Sequence, residues 1–261
     1  MHHVKIWSIL NTLGLIVVLI VNTLANSLPI NGRTTGEISD AYPNLFTPAG
    51  FTFAIWGLIY LALICFCIYQ LIVAWRQSDQ AGFIARIGPF FLLSCLANAT
   101  WIFAWHHEII WLALVIMLIL FASLCLIYLR LDIGQKAVAM AQRWLVQAPV
   151  SLYLGWITIA TIANVTILLT DLGWNGFGID PRIWTLLVLW AGLSIGYRVW
   201  KVRQDVIFVL VIAWAYFGVL MKRMDQVGGL NDMVAIGALT GIVIAVILVA
   251  YRVFGKTSTT T

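Results

Sequence analysis

Charge is scarce in this chain. Asp, Glu, Lys and Arg supply 10% of its 261 residues, whereas a soluble domain needs about 25% for water to wet its surface. With 62% hydrophobic residues and a mean hydropathy of +1.00, the solvent around the fold is expected to be lipid. Cysteine is also rare, and Cys65, Cys67, Cys95 and Cys125 all fall inside apolar runs. They have no metal-ligand partners at useful spacing, which argues against a disulfide framework or a zinc module and leaves them as small buried hydrophobes. The net charge of +5 comes from basic residues scattered between apolar segments, so a nucleic-acid partner is not expected. No phosphate loop, nucleophile elbow or zinc helix motif is found. No apolar segment carries a central Asp, Glu, Lys or Arg, which counts against ion-coupled transport.

What the chain has in abundance is long hydrophobic runs. A window of about 19 residues, the helix length that crosses roughly 30 Å of hydrocarbon, places helices near 6–26, 49–75, 88–105, 109–129, 146–169, 183–200, 206–221 and 233–254. Pro89 bounds the third early and the seventh is short. No run alternates with period two, so the fold class is all-α, a polytopic membrane bundle of about eight helices. Lys5 ahead of an apolar run and Thr23-Leu24-Ala25 imitate a secretory signal, but the run is long enough to span and is read as the first helix. Alternating the loops puts 11 Lys and Arg residues on the side of the N-terminus and 4 on the other. That bias orients both termini toward the cytoplasm of a cell membrane.

The longest connection runs from Ser27 to Pro48 and carries Pro29, the Asn31-Gly32 turn signal, Arg33, Glu37 and Asp40. It is either a folded lid or a solvated connector. Thirteen tryptophans are present. Trp7, Trp75, Trp111, Trp144, Trp184 and Trp200 suit the interfacial belt, while Trp56, Trp101, Trp156, Trp190 and Trp214 lie within spans. At about 1.5 Å of rise per residue, Trp56, Asn98, Trp101 and Asn164 fall roughly 6–10 Å below the long loop, with Trp156 deeper. A carboxamide unpartnered in hydrocarbon costs several kcal/mol, so Asn98 and Asn164 are expected to face the bundle. There they either bond a neighbouring helix or line a cavity for a flat apolar ligand.

Three motifs sharpen that choice. The junction Thr47-Pro48-Ala49-Gly50-Phe51-Thr52-Phe53-Ala54-Ile55-Trp56-Gly57-Leu58-Ile59-Tyr60, the stretch Asn98-Ala99-Thr100-Trp101, and the Trp156, Ala160, Asn164 series after Pro149 and Tyr153 resemble, in order, the TspO/MBR family. These are the tryptophan-rich sensory proteins that include the translocator protein. The junction departs from the family's pattern: Thr47 stands for the first of two usual prolines, and Gly50 stands where a Trp is common. The resemblance covers residues 1–170 as a five-helix core and leaves 171–261 as a three-helix extension. It implies an outer cavity capped by the first loop that takes porphyrins and other hydrophobic ligands. Trp56, Tyr60, Asn98, Trp101, Trp156, Ala160 and Asn164 are then the ligand-binding residues.

The functional expectation is a membrane protein that binds a flat lipophilic ligand such as a tetrapyrrole, as a sensor or stress modulator. The alternative is a facilitative transporter of a small lipophilic or neutral solute. No cofactor is required, porphyrin or haem would be a ligand, and the other partners expected are membrane lipids and that small molecule. No catalytic or metal-binding residue is assigned, although some family members suggest light-dependent porphyrin degradation. His106, His107 and Glu108 read as a solvated turn, with haem ligation or pH sensing as the other readings. Gly192-x3-Gly196 and Gly237-x3-Gly241 are packing faces, within the chain or in a homo-oligomer.

Overall fold

The computed structural model describes residues 2–28, 30–227 and 229–254. Pro29 of the long loop and Lys256 of the charge count lie outside them. Eight helices are long and apolar enough to cross a membrane, and the described residues contain no strand. They are α1 (His2–Ser27), α3 (Ile55–Trp75), α4 (Gly82–His106), α5 (Ile110–Arg130), α7 (Ala148–Asp171), α8 (Pro181–Arg203), α9 (Val206–Val227) and α10 (Met233–Phe254). Short helices α2 (Thr35–Asp40) and α6 (Met140–Gln142) complete the order. Every expected span is present, and the chain is a multi-pass membrane protein.

The physics of lipid inverts the usual helix face. On α1 the polar Ser8, Asn11 and Asn22 point inward with Leu15, Val18 and Ala25, while Ile9, Leu13, Ile16, Ile20 and Leu24 point outward. Hydrocarbon offers those polar groups no partner, so Ser8 bonds Lys5 O within α1 while Asn11 and Asn22 reach other helices. Asn11 Nδ2 donates to Gln70 Oε1 at 2.9 Å, which ties α1 to α3.

Two helices differ from the sequence reading. α4 begins at Gly82, not at 88, because Pro89 bends the helix and does not start it. Pro89 has no N–H to donate and its ring crowds the preceding turn. Gly88 absorbs the bend at φ 31°, ψ −118°, a backbone that L side chains rarely adopt. α9 runs on to Val227, past Lys222, Arg223 and Asp225. A hydropathy window marks where hydrocarbon ends, whereas the helix continues into the loop layer. Pro149 leaves a similar trace, a π turn over Arg143–Gln147 that leads into α7.

One buried core runs through both parts of the chain, from Leu15 and Phe66 to Leu189, Phe208 and Val234. α7 packs against α5, α3 and α9, and α10 lies against α8 and α9. The four glycines of the two Gly-x3-Gly motifs are consumed here. A Cβ on Gly192 or Gly196 would lie 2.6 Å from the Tyr216 hydroxyl or from Ile212 Cδ1, both on α9. A Cβ on Gly237 or Gly241 would run into Leu186 of α8 or the Tyr216 ring. These glycine faces therefore pack within the chain.

Candidate ligand-binding site

The loop is folded over residues 30–48. Thr34 caps α2 through a reciprocal pair: Glu37 N donates to Thr34 Oγ1, and Thr34 N donates to Glu37 Oε2 at 2.7 Å. Those bonds hold the Glu37 carboxyl below its ordinary range. Asn44 Oδ1 then accepts from Phe46 N and Thr47 N at 3.0 and 2.8 Å, closing a turn that buries Ile38 and Phe46.

The loop is fastened on two sides. On the α4 side His106 is fully buried, not part of a solvated turn as the sequence suggested. Its Nδ1 donates to Ile30 O at 3.0 Å and its Nε2 meets Thr35 Oγ1 at 3.1 Å. Because a carbonyl only accepts, Nδ1 carries the proton. Asn31 Nδ2 donates to His106 O, and Trp105 Nε1 to Thr35 O. Glu108 pairs with Arg33 and accepts from the Tyr42 hydroxyl at 3.2 Å. Burial and that carboxylate push the Tyr42 phenol up to about 12. Only His107 is exposed.

On the α9 side, Ala49 N donates to Gly218 O and Trp214 Nε1 to Thr52 O, both at 3.0 Å. Lys222 Nζ pairs with Asp40 at 2.6 Å. Phe51 sits edge-on to Trp214 and Phe217. The C-terminal helices thus brace the loop, a role that nothing in residues 171–261 alone revealed.

Beneath the loop lies an apolar cleft. Trp56 of α3, Trp101 and Trp105 of α4, and Trp156, Ala160 and Asn164 of α7 form its walls, and Thr35, Ser39 and Pro48 roof it. Its cavity volume is about 40 Å³, room for a few waters. Counting the part open to the outside, the empty space is about 490 Å³. Trp101 stacks on Trp105 with centroids 5.2 Å apart, and Trp101 Nε1 donates to Asn164 Oδ1 at 3.2 Å. Asn164 Nδ2 is spent on Ala160 O. Trp56 and Trp156 meet edge to face at 6.2 Å. The Trp156 indole N–H is buried and has no acceptor among the described residues.

Five of the seven residues expected at the site therefore share this cleft: Trp56, Trp101, Trp156, Ala160 and Asn164. The other two do not line it. Asn98 joins three helices, accepting from Asn22 Nδ2 of α1 and donating to the Tyr153 hydroxyl of α7, each at 2.8 Å. Tyr60 stacks on the opposite face of Trp56 at 5.4 Å. Trp105 was missed by the sequence reading, although its spacing of four from Trp101 puts both on one helix face.

Comparison with family models finds one described as TSPO-like protein, matched over residues 8–251. The match takes in the last three helices as well as the first five. No curated protein and no solved structure matches the chain.

Proposed function

Because the chain belongs to the TSPO-like family of membrane proteins, we propose that it binds a flat, lipophilic ligand of the tetrapyrrole class in the tryptophan-walled cleft and acts as a sensor or stress modulator. The observation that carries this reading is the Trp156 indole N–H. It is a buried donor without a partner among the described residues, on a ring that meets Trp56 and Phe53 edge to face and belongs to the mostly apolar wall of the cleft. Native interiors leave few such groups unpaired, and a ligand acceptor would satisfy this one. Indole faces supply stacking surface, and Asn164 fixes the Trp101 ring so that the surface is preorganised.

The enclosed space is too small for a tetrapyrrole while the loop is down, so binding requires α2 to lift from α4. Association is then gated by the loop, and its rate falls below the diffusion limit. The facilitative-transport reading has no comparable observation behind it. Phe66, Ile84, Ile87 and Phe91 fill the helix interior toward the other end of α4 with almost no accessible surface.

Titration with protoporphyrin IX, followed by tryptophan fluorescence in detergent, tests the proposal. Saturable quenching is expected in the wild type. In Trp156→Phe, which keeps the ring bulk but loses the N–H, affinity should drop about tenfold, matching about 1.4 kcal/mol for one hydrogen bond. Non-saturable quenching, or equal affinity in the variant, would remove the reading.

A further inference from the structure

On the far side of Trp56 from the cleft lies a second recess, an open groove of about 400 Å³ between the ends of α1 and α3 nearest the loop. From α1 it takes Asn22, Thr23, Asn26 and Ser27, and from α3 Trp56, Gly57 and Tyr60. None of these is charged. The groove opens between two lipid-facing rows, Ile20 and Leu24 on α1 and Leu58 and Leu61 on α3.

Within the described residues the groove offers unused carboxamide oxygens on Asn22 and Asn26 together with unused hydroxyls on Thr23 and Tyr60. Asn22 Nδ2 donates to Val18 O and Asn26 Nδ2 to Asn22 O, each at 2.9 Å. Since a carbonyl only accepts, these bonds fix which carboxamide atom is nitrogen and leave the oxygens to the groove. Neither Oδ1 accepts a bond within the described residues. The Ser27 hydroxyl is bent back to Thr23 O, which leaves its oxygen lone pairs outward. At the floor, the Tyr60 hydroxyl beside Asn98 is buried and completes no hydrogen bond of normal geometry. Unused acceptors and the Thr23 hydroxyl along α1, with the Tyr60 hydroxyl buried beneath them, are complementary to a ligand hydroxyl, which both donates and accepts.

We propose that the α1–α3 groove is a second binding site, which takes the hydroxyl-bearing, uncharged head of a membrane amphiphile from the leaflet at the loop end. Its acyl or ring portion lies against Leu24, Leu58 and Leu61. A phosphate head is disfavoured because no Lys or Arg lines the groove, and anionic lipid heads are recognised by basic residues. A fully esterified glyceride is disfavoured because it offers only acceptors to Asn22, Asn26 and Ser27. The class is therefore a hydroxylated neutral lipid, of which a diacylglycerol is the simplest.

Gly57 makes the test clean. A Cβ there meets nothing within 4 Å, so a side chain added at Gly57 starts into open space and takes up room in the groove. The full chain is placed in phosphatidylcholine nanodiscs with a trace of diacylglycerol carrying a diazirine in one acyl chain. After illumination the labelled peptides are mapped. Labelling should concentrate on the segments holding residues 22–27 and 56–60. Dioctanoylglycerol should compete at least tenfold better than its 3-acetyl ester, which differs only in lacking the hydroxyl. Gly57→Phe should cut labelling at least fivefold, and Tyr60→Phe should narrow the gap between the two competitors. Where Gly57→Phe lowers the unfolding midpoint, the smaller Gly57→Leu decides the matter. Labelling spread over the lipid-facing helices and indifferent to Gly57, or equal competition by the acetyl ester, would overturn the site as ordinary annular lipid. Protoporphyrin quenching reports the tryptophan cleft and is read separately on the same variants, so either site can fail without the other.

Discussion

Replacing Gly218 with alanine puts the brace between α9 and the loop under direct load. A Cβ at this position would lie 2.8 Å from Pro48 Cβ and from Thr52 Cγ2, and closer still to the Thr52 hydroxyl oxygen. Ordinary contact begins at 3.4 Å, so the carbon contacts alone part α9 from the junction by at least about 0.6 Å. Stretched by that amount, the 3.0 Å bonds from Ala49 N to Gly218 O and from Trp214 Nε1 to Thr52 O reach a length that no longer counts as a hydrogen bond. Overpacking costs about 1–3 kcal/mol and each weakened bond about 0.5–1.5, so Gly218→Ala should destabilise by roughly 2–6 kcal/mol. Helix propensity alone predicts the opposite sign, a gain of up to about 1 kcal/mol. Thr52→Ala removes both offending atoms of that side chain. It sacrifices no hydrogen bond, since the Thr52 hydroxyl is buried without a partner among the described residues. The double variant should therefore recover about half the loss, a coupling of about 1–3 kcal/mol. Thermal and denaturant unfolding in detergent, with hydrogen exchange at the amides of residues 35–47, measures both stability and loop opening. A Gly218→Ala protein as stable as wild type, or one whose defect Thr52→Ala leaves untouched, would refute the brace.

Other outcomes follow from the same contacts. Glu108→Gln weakens the half-exposed pair with Arg33, worth about 1 kcal/mol or less. It should speed protoporphyrin association severalfold in stopped flow with little change in unfolding midpoint. Asn98→Leu leaves Asn22 Nδ2 and the Tyr153 hydroxyl short of a partner and should cost about 1–2 kcal/mol in unfolding, with protoporphyrin affinity in the cleft retained. Gly241→Val drives a side chain into the Tyr216 ring and should lower stability by about 1–3 kcal/mol, read from the unfolding midpoint. Glu37 titrates below its ordinary 4.5 in the folded chain because Thr34 bonds its carboxylate. Its contribution to holding the loop is present above pH 4.5 and is lost as pH falls through the lowered value. Exchange at the α2 amides should be flat from neutral pH down to about 5, after correction for intrinsic rates, and should rise below it, whereas Glu37→Gln should show no such rise.

The spans were legible because lipid imposes one rule on every helix, a run of apolar residues about 20 long. What a hydropathy window cannot see is the backbone between runs. Gly88 carries α4 across a proline, and α9 keeps its helix through Lys222 because that lysine has Asp40 to pair with, 182 residues away in sequence. The candidate site was legible where a motif fixed both residue type and helix face, as with Trp156, Ala160 and Asn164 on α7. It was not legible where chemistry alone had to decide. Asn98 and Asn164 look alike in sequence, yet Asn98 is saturated by α1 and α7 while Asn164 holds an indole at the cleft wall. Trp105 and His106 depend on the loop that covers them. Their partners, Thr35 O and Ile30 O, are backbone atoms, which carry no residue signature.

The central claim is that the Trp156 N–H awaits a ligand acceptor under the folded loop. Nuclear magnetic resonance of the chain carrying ¹⁵N-indole tryptophan reads that atom directly, with Trp156→Phe to assign its signal. On adding protoporphyrin IX, the Trp156 indole resonance should move and gain protection from solvent exchange, with smaller shifts at Trp56, Trp101 and Trp105 and none at the exposed Trp75 and Trp111. An unchanged Trp156 signal at saturating protoporphyrin, or shifts confined to the exposed indoles, would contradict the account.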